Sequence, residues 1–262
     1  MRYVAIGDSF TEGVGDELPD GTVRGWADLV AAGLATAHGG TVQYANLAVR
    51  GRLLEPIVTD QLERALALSP APTVITLNGG GNDMMRPGAD MARLVALTEG
   101  TVRRCADAGV RLVLLSGGDP SARLPFGSVM RRRALALTAA TAELAARYGM
   151  EFVDIFNDPE TSRSQYWSTD RLHLNSAGHR RVASLVLAGL GHTTAAHVVD
   201  PDPVGRRGLL AEARYYREFV LPWVHRRLRG RSSGDGRVAK YPGWVPVRAA
   251  GANTAPDTGT RA

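Results

Sequence analysis

The sequence predicts a three-layer α/β domain built on a parallel sheet, and three observations carry that prediction. Short apolar runs rich in β-branched residues alternate with longer segments of helical periodicity through residues 1–191. Five strand-then-helix units follow one another, which calls for right-handed crossovers and helices on both faces of one sheet. Four of the segments that follow strands are polar or Gly-rich, and an open α/β sheet binds its ligands at the carboxyl ends of its strands.

The elements follow in order. Arg2–Ile6 reads as the first strand. Trp26–His38 is a helix, with Leu29, Val30, Leu34 and Ala37 on one face. Thr41–Ala45 is the second strand and Leu53–Leu68 the second helix. Thr73–Leu77 is a third strand, followed by a helix over Asp90–Ala108. Arg111–Ser116 is a fourth strand, and Val129–Tyr148 a long Ala/Leu helix. Glu151–Ile155 is the fifth strand, and Ser176–Leu190 the closing helix, with Ser176 as its cap. The expected sheet therefore has five parallel strands.

After Gly191 the pattern changes. Residues 192–205 form a linker bearing Pro and Asp. Residues 208–228 are amphipathic again, with Leu209, Leu210, Ala213, Tyr216, Phe219, Val220, Trp223 and Val224 at mostly helical spacing. Residues 231–262 are rich in Gly, Pro, Ser and Thr and read as extended or disordered. The chain thus divides into a domain of residues 1–191 and an extension of residues 192–262.

Charge follows the same division. The 262-residue chain carries a net +5. Residues 1–191 hold 19 Arg against 20 Asp and Glu, a net −1, whereas residues 205–240 hold 10 basic and 3 acidic residues, a net +7. The basicity that would suggest nucleic acid or an anionic membrane belongs to the extension. Nucleic acid is therefore not an expected partner, and anionic membrane contact is confined to the Arg-rich stretch 205–240. Packing of Phe219, Val220 and Trp223 on the body, with the Arg residues in water, is the plainer reading. No apolar run reaches membrane-spanning length. The N-terminal apolar run is too short for a signal peptide, which favours a cytoplasmic location. Cys105 is the only cysteine, so neither an internal disulfide nor a cysteine zinc cluster is available.

The strand ends carry the chemistry. Gly7-Asp8-Ser9 follows the first strand, Asn46 to Gly51 the second, and Asn78-Gly79-Gly80-Gly81-Asn82-Asp83 the third. Asp170-Arg171-Leu172-His173 precedes the last helix. A Ser hydroxyl is a weak nucleophile until a base takes its proton, and His is the side chain suited to that near neutral pH. An Asp three residues before the His can return through a tight turn to orient the ring. The N–H groups of Ser9 and Gly51 and the amide of Asn82 are candidate donors to an oxyanion. A P-loop does not fit Gly79–Gly81, since no Lys-Ser/Thr pair follows. The carboxylates Asp8, Asp83 and Asp170 are a poor second choice as a metal site.

These blocks, in this order, resemble the SGNH (GDSL) hydrolase superfamily over roughly residues 1–191. Gly7-Asp8-Ser9 matches its first block, with Phe10 where Leu is common. Gly51 matches the Gly block, Gly80-Gly81-Asn82-Asp83 the G-x-N-D block, and Asp170–His173 the D-x-x-H block. The resemblance implies a flavodoxin-like α/β/α fold with no cofactor and no metal. It implies hydrolysis of esters or thioesters by Ser9 as nucleophile, His173 as base and Asp170 as its orienting partner. Ser9, Gly51 and Asn82 would form the oxyanion hole, with Asp8 and Asp83 supporting it. Phe126, Tyr166 and Trp167 are expected to line a substrate pocket for an acyl chain or hydrophobic alcohol, although aromatics also stack on sugars. The leading expectation is an esterase acting on small acyl esters, lysophospholipids or acyl thioesters. Carbohydrate deacetylation or acyl transfer by the same residues is the alternative. A binding module working through the basic extension is a third.

Overall fold

Alternation along the first strand sets the layers. In β1 (Arg2–Ile6) the side chains of Tyr3 and Ala5 enter one apolar cluster and those of Val4 and Ile6 another, and all four are fully buried. A strand buried on both faces needs cover on both faces. One cover is α2 (Trp26–Ala37) with α8 (Ser176–Gly189); Val30, Leu34, Val182 and Val186 share a cluster with Tyr3 and Ala5. The opposite cover includes α6 (Met91–Asp107) and α7 (Gly127–Tyr148), whose Leu94, Val102, Leu137 and Leu144 pack with Val4 and Ile6. Cys105 is buried on α6, inside this second cluster.

The computed structural model describes residues 1–124, 127–192, 209–222, 225, 229 and 231–249. β2 is Thr41–Asn46, β3 Val74–Leu77, β4 Arg111–Leu115 and β5 Glu151–Val153. These five pair in parallel in the order β5-β4-β3-β1-β2. Val4 lies opposite both Ala45 and Ile75, which brings the carboxyl ends of β1, β2 and β3 to one level. Shorter pieces complete the body: α1 (Ser9–Glu12), α3 (Leu54–Pro56), a π-helical turn at Ile57–Gln61, α4 (Leu62–Leu66) and α5 (Gly81–Met84).

The expected count of five strands is corrected to six. β6 (Tyr241–Arg248) lies in the stretch read as extended or disordered, and it pairs antiparallel with β2, Val42 opposite Val247 and Tyr44 opposite Val245. Pro242 and Pro246 lie within it. An edge strand tolerates proline because one side of its ladder has no partner. Its apolar residues are used: Tyr241, Val245 and Val247 pack on the Tyr3 cluster, while Trp244 packs on the other and donates its indole N–H to Pro70 O at 3.1 Å. β6 thereby covers what would be the β2 edge. Of the expected helix at 208–228, α9 spans Leu209–Tyr215 and a π-helical turn follows at Tyr216–Val220. Residues 193–205 of the linker, and Trp223, lie outside the described residues. No helix among the described residues is long and apolar enough to cross a membrane.

Candidate active site

The turn from β1 into α1 leaves no room for a side chain at Gly7. A Cβ on Gly7 would lie 2.4 Å from Thr11 Oγ1 and 2.7 Å from Asn78 O. The Gly7 peptide is gripped by the Gln61 amide: Gly7 N–H donates to Gln61 Oε1 at 2.8 Å, and Gln61 Nε2 donates to Gly7 O at 2.9 Å. Asp8 caps α1 by accepting from Phe10 N–H, and its carbonyl accepts from the N–H groups of Thr11 and Glu12. Ser9 is the first helical residue, so its N–H is one of the donors a helix start leaves over.

The Asp170–His173 turn reaches Ser9 from the far side. His173 Nε2 lies 2.9 Å from Ser9 Oγ, and His173 Nδ1 lies 2.5 Å from Asp170 Oδ2. An ionised carboxylate only accepts, so Nδ1 carries the proton and Nε2 accepts from the Ser9 hydroxyl. The other Asp170 oxygen accepts from Ser168 Oγ at 2.6 Å and from the N–H groups of Leu172 and His173, both at 3.0 Å. Burial alone would raise the Asp170 pKa. The hydrogen bonds and charge of His173, with Ser168 and the turn amide, outweigh it and hold the carboxyl far below the usual range. The turn closes through Arg171, a non-Gly residue at φ 62°.

Gly51 lies in the loop that follows β2. Between Leu47 and Arg52 each N–H but one has an acceptor: Leu47 on Ala5 O, Ala48 on Asn46 Oδ1, Val49 on Gly7 O, Arg50 on Glu12 Oε2 and Arg52 on Val49 O. Gly51 N–H is the exception among the described residues. Its φ of 75° is a left-handed conformation that favours Gly. The loop is fixed by Arg50, whose guanidinium holds Glu12 of α1 at 2.5 and 2.8 Å.

Asn82, at the start of α5, lies beside Asp8. Its Nδ2 donates to Asp8 Oδ2 at 2.9 Å and to Arg52 O at 3.0 Å. Both amide protons are thus committed in this arrangement, and donation to an oxyanion requires exchanging one of them. Burial pushes the Asp8 carboxyl up to about 6, against the opposing pull of Phe10 N–H and the His173 charge. Asp83 accepts from Leu54 N–H at 2.9 Å, which ties the third block to the start of α3.

The structure therefore joins Ser9, His173 and Asp170 in one hydrogen-bond chain, bonds Asn82 to the neighbouring Asp8, and ties Asp83 to Leu54. Two of the three aromatic residues expected to line a substrate pocket are buried instead. Tyr166 and Trp167 are core residues, 3% and 7% exposed. Tyr166 Oη donates to Glu160 at 2.9 Å and Trp167 Nε1 to Thr161 O at 2.7 Å, so both brace the loop leading into the Asp170 turn. Phe126 lies outside the described residues. Gln61, Glu12 and Arg50 position the site and carried no sequence signal, because each acts on backbone or on a partner remote in sequence. Among the described residues no cluster of His, Cys, Asp and Glu has metal-binding geometry.

A hydroxyl that donates to an imidazole and an imidazole that donates to a carboxylate define the catalytic core of a serine hydrolase. Residues 5–181 match the GDSL-like lipase/acylhydrolase family, and the chain belongs to that family. Its solved structural neighbours share the fold at low identity. A psychrotrophic esterase from Pseudoalteromonas is 16% identical, with a TM-score of 0.57 over 72% of this chain and 96% of its own. A lipase/acylhydrolase from Enterococcus faecalis is 18% identical, at 0.55 over 78% and 99%. A variant of an acetylxylan esterase from Geobacillus stearothermophilus is 18% identical, at 0.56 over 74% and 96%. No curated protein matches the sequence.

Proposed function

We propose that this hydrolase acts on esters of short acyl groups. Ester hydrolysis itself follows from the family and the site. Ser9 Oγ attacks the acyl carbon as its proton passes to His173 Nε2, and the oxyanion faces the N–H groups of Ser9 and Gly51. His173 then protonates the departing alcohol. Water, deprotonated by His173, attacks the Ser9 ester and releases the acid and the free hydroxyl. Asp170 keeps Nδ1 protonated and offsets the imidazolium charge.

The observation that carries the reading is the continuous chain from Asp170 Oδ2 through His173 to Ser9 Oγ at 2.5 and 2.9 Å. The short acyl group draws its support from the acetyl esterases among the structural neighbours. Acetyl esters of carbohydrate are the second reading, because acetylxylan esterases are among the structural neighbours. Within 205–240 Lys240 is spent inside the protein and Arg214 pairs with Glu218, so any anionic membrane contact would fall to the exposed Arg229, Arg231 and Arg237 among the described residues.

The test is p-nitrophenyl ester hydrolysis across acyl lengths. Ser9→Ala is expected to lower turnover by at least about a thousandfold with the fold intact by circular dichroism. Acetate is expected to outrun laurate. Undiminished turnover by Ser9→Ala sinks the mechanism, and a preference for laurate sinks the short-acyl reading alone.

A further inference from the structure

The family match ends at residue 181, yet the catalytic turn is held by residues beyond it. Arg171 lies between Asp170 and His173. Its guanidinium forks onto the Glu212 carboxylate of α9, Nη1 to Oε2 at 3.0 Å and Nη2 to Oε1 at 2.6 Å. The same guanidinium lies flat over the Tyr215 ring, 3.7 Å from its centroid. Arg171 is 12% exposed at its side chain, and Tyr215 is 6% exposed. A bidentate ion pair fixes the guanidinium plane, and an aromatic face beneath fixes its tilt.

The backbone makes this grip matter. Arg171 is the one non-Gly residue among those described with a positive φ, at 62°. That left-handed residue turns the chain so that Asp170 Oδ1 meets the N–H groups of Leu172 and His173 while Oδ2 meets the ring. L side chains disfavour this conformation, and it persists where the surroundings over-determine it. Here the surroundings are Glu212 and Tyr215. The extension also reaches the opposite wall: Ser232 Oγ donates to Gly51 O at 3.1 Å, and Gly234 packs against Arg50 O.

We infer that Glu212 and Tyr215 are positioning residues for ester hydrolysis. Acting through Arg171, they hold the Asp170–His173 turn at the reach that brings His173 Nε2 to Ser9. The extension is then a working wall of the active site. This rests on Ser9 being the nucleophile.

The experiment uses the full chain in six forms: wild type, Ser9→Ala, Glu212→Ala, Glu212→Gln, Arg171→Ala and the Arg171→Ala/Glu212→Ala pair. It measures p-nitrophenyl acetate kinetics and the rate of fluorophosphonate labelling. Glu212→Ala is expected to lower both kcat and the labelling rate by about 10- to 100-fold, with KM changed less than about twofold, as for a misplaced catalytic group. Glu212→Gln keeps the size and an acceptor and should lose less, in the same direction. In the Arg171→Ala background, adding Glu212→Ala should change kcat by less than about twofold, because the route to His173 is already cut. A kcat for both Glu212 variants within about twofold of wild type overturns the inference, as do losses from Glu212 and Arg171 that simply multiply. Labelling that survives Ser9→Ala overturns the hydrolase reading instead, and this inference with it.

Discussion

At the residue scale the site depends on groups kept in one protonation state by their surroundings. His179 is the second histidine of that region. It is fully buried on α8, where Nδ1 accepts from Trp26 N–H at 3.2 Å and Nε2 donates to Val14 O at 3.1 Å. That pairing needs the neutral ring, and burial pushes its pKa down to about 4. An unfolded histidine titrates near 6.5. Between those values the unfolded chain binds the proton and the folded one does not. The stability His179 contributes is thus complete above about pH 6.5 and lost as pH falls toward about 4, by roughly 3 kcal/mol at 1.36 kcal/mol per unit. Asp8 has the opposite sign, since its folded pKa is raised to about 6 and acid favours its folded state. The contribution of His179 is therefore read from a difference. His179→Gln, which does not titrate, should be less stable than wild type at pH 7.5, and the gap should narrow at pH 4.5. Urea unfolding at both values measures it, and a gap independent of pH contradicts it.

At the scale of elements, a π-helical turn performs the positioning that a regular helix would not. Residues 53–68 read from sequence as one helix, because Leu54, Ile57, Val58, Leu62 and Ala65 recur at helical spacing and are all buried. Periodicity reports which face is buried, and it is nearly blind to one added residue in a turn. The structure divides this segment at Ile57–Gln61, where Leu62 N–H bonds Ile57 O. Gln61, 6% exposed, ends that turn with its amide across the Gly7 peptide, 54 residues away in sequence. The four catalytic blocks were legible because Ser, His, Asp and Gly-rich turns carry chemistry in their own residue types. A glutamine that holds backbone carries none. Gln61→Met is of similar length and makes neither bond, leaving the buried Gly7 N–H without a partner, while Gly7 O keeps the N–H of Val49. At about 1–3 kcal/mol for one unsatisfied group, the expected loss is about 1–3 kcal/mol, with Ser9 turnover falling as the Gly7 turn relaxes. Chemical unfolding and ester hydrolysis measured on one preparation check both. A variant as stable and active as wild type would remove Gln61 from the support of the site.

At the scale of the whole molecule, the division of charge takes on a different meaning. The +7 stretch looked like a surface for an anionic partner, yet its lysine, the one lysine of the chain, is turned inward. Lys240 Nζ donates to Glu12 O, Val23 O and Arg24 O at 2.9, 3.0 and 2.8 Å, and to Asp28 Oδ2 at 2.7 Å. These partners are 212 to 228 residues away, which is why no local pattern announced them. Lys240 directly precedes β6, so it pins the point at which the extension enters the sheet. Burial pushes the Asp28 carboxyl up to about 6 even with the ammonium beside it. Lys240→Met keeps the length of the stem and removes the charge, leaving a buried carboxylate and three carbonyls without a donor. Removing one partner of a buried pair costs about 3–5 kcal/mol, and the lower figure suits side chains 13% and 17% exposed. The loss should be smaller at pH 5 than at pH 7.5. Below about 6 the folded protein carries Asp28 protonated, and a neutral carboxyl needs no cation. Amide exchange locates the effect: β6 should lose protection, while β1 and β3, paired on both sides in the middle of the sheet, keep theirs. If β6 stays protected and the loss is under about 1 kcal/mol, within what an exposed pair contributes, Lys240 is not what fastens the extension to the hydrolase body.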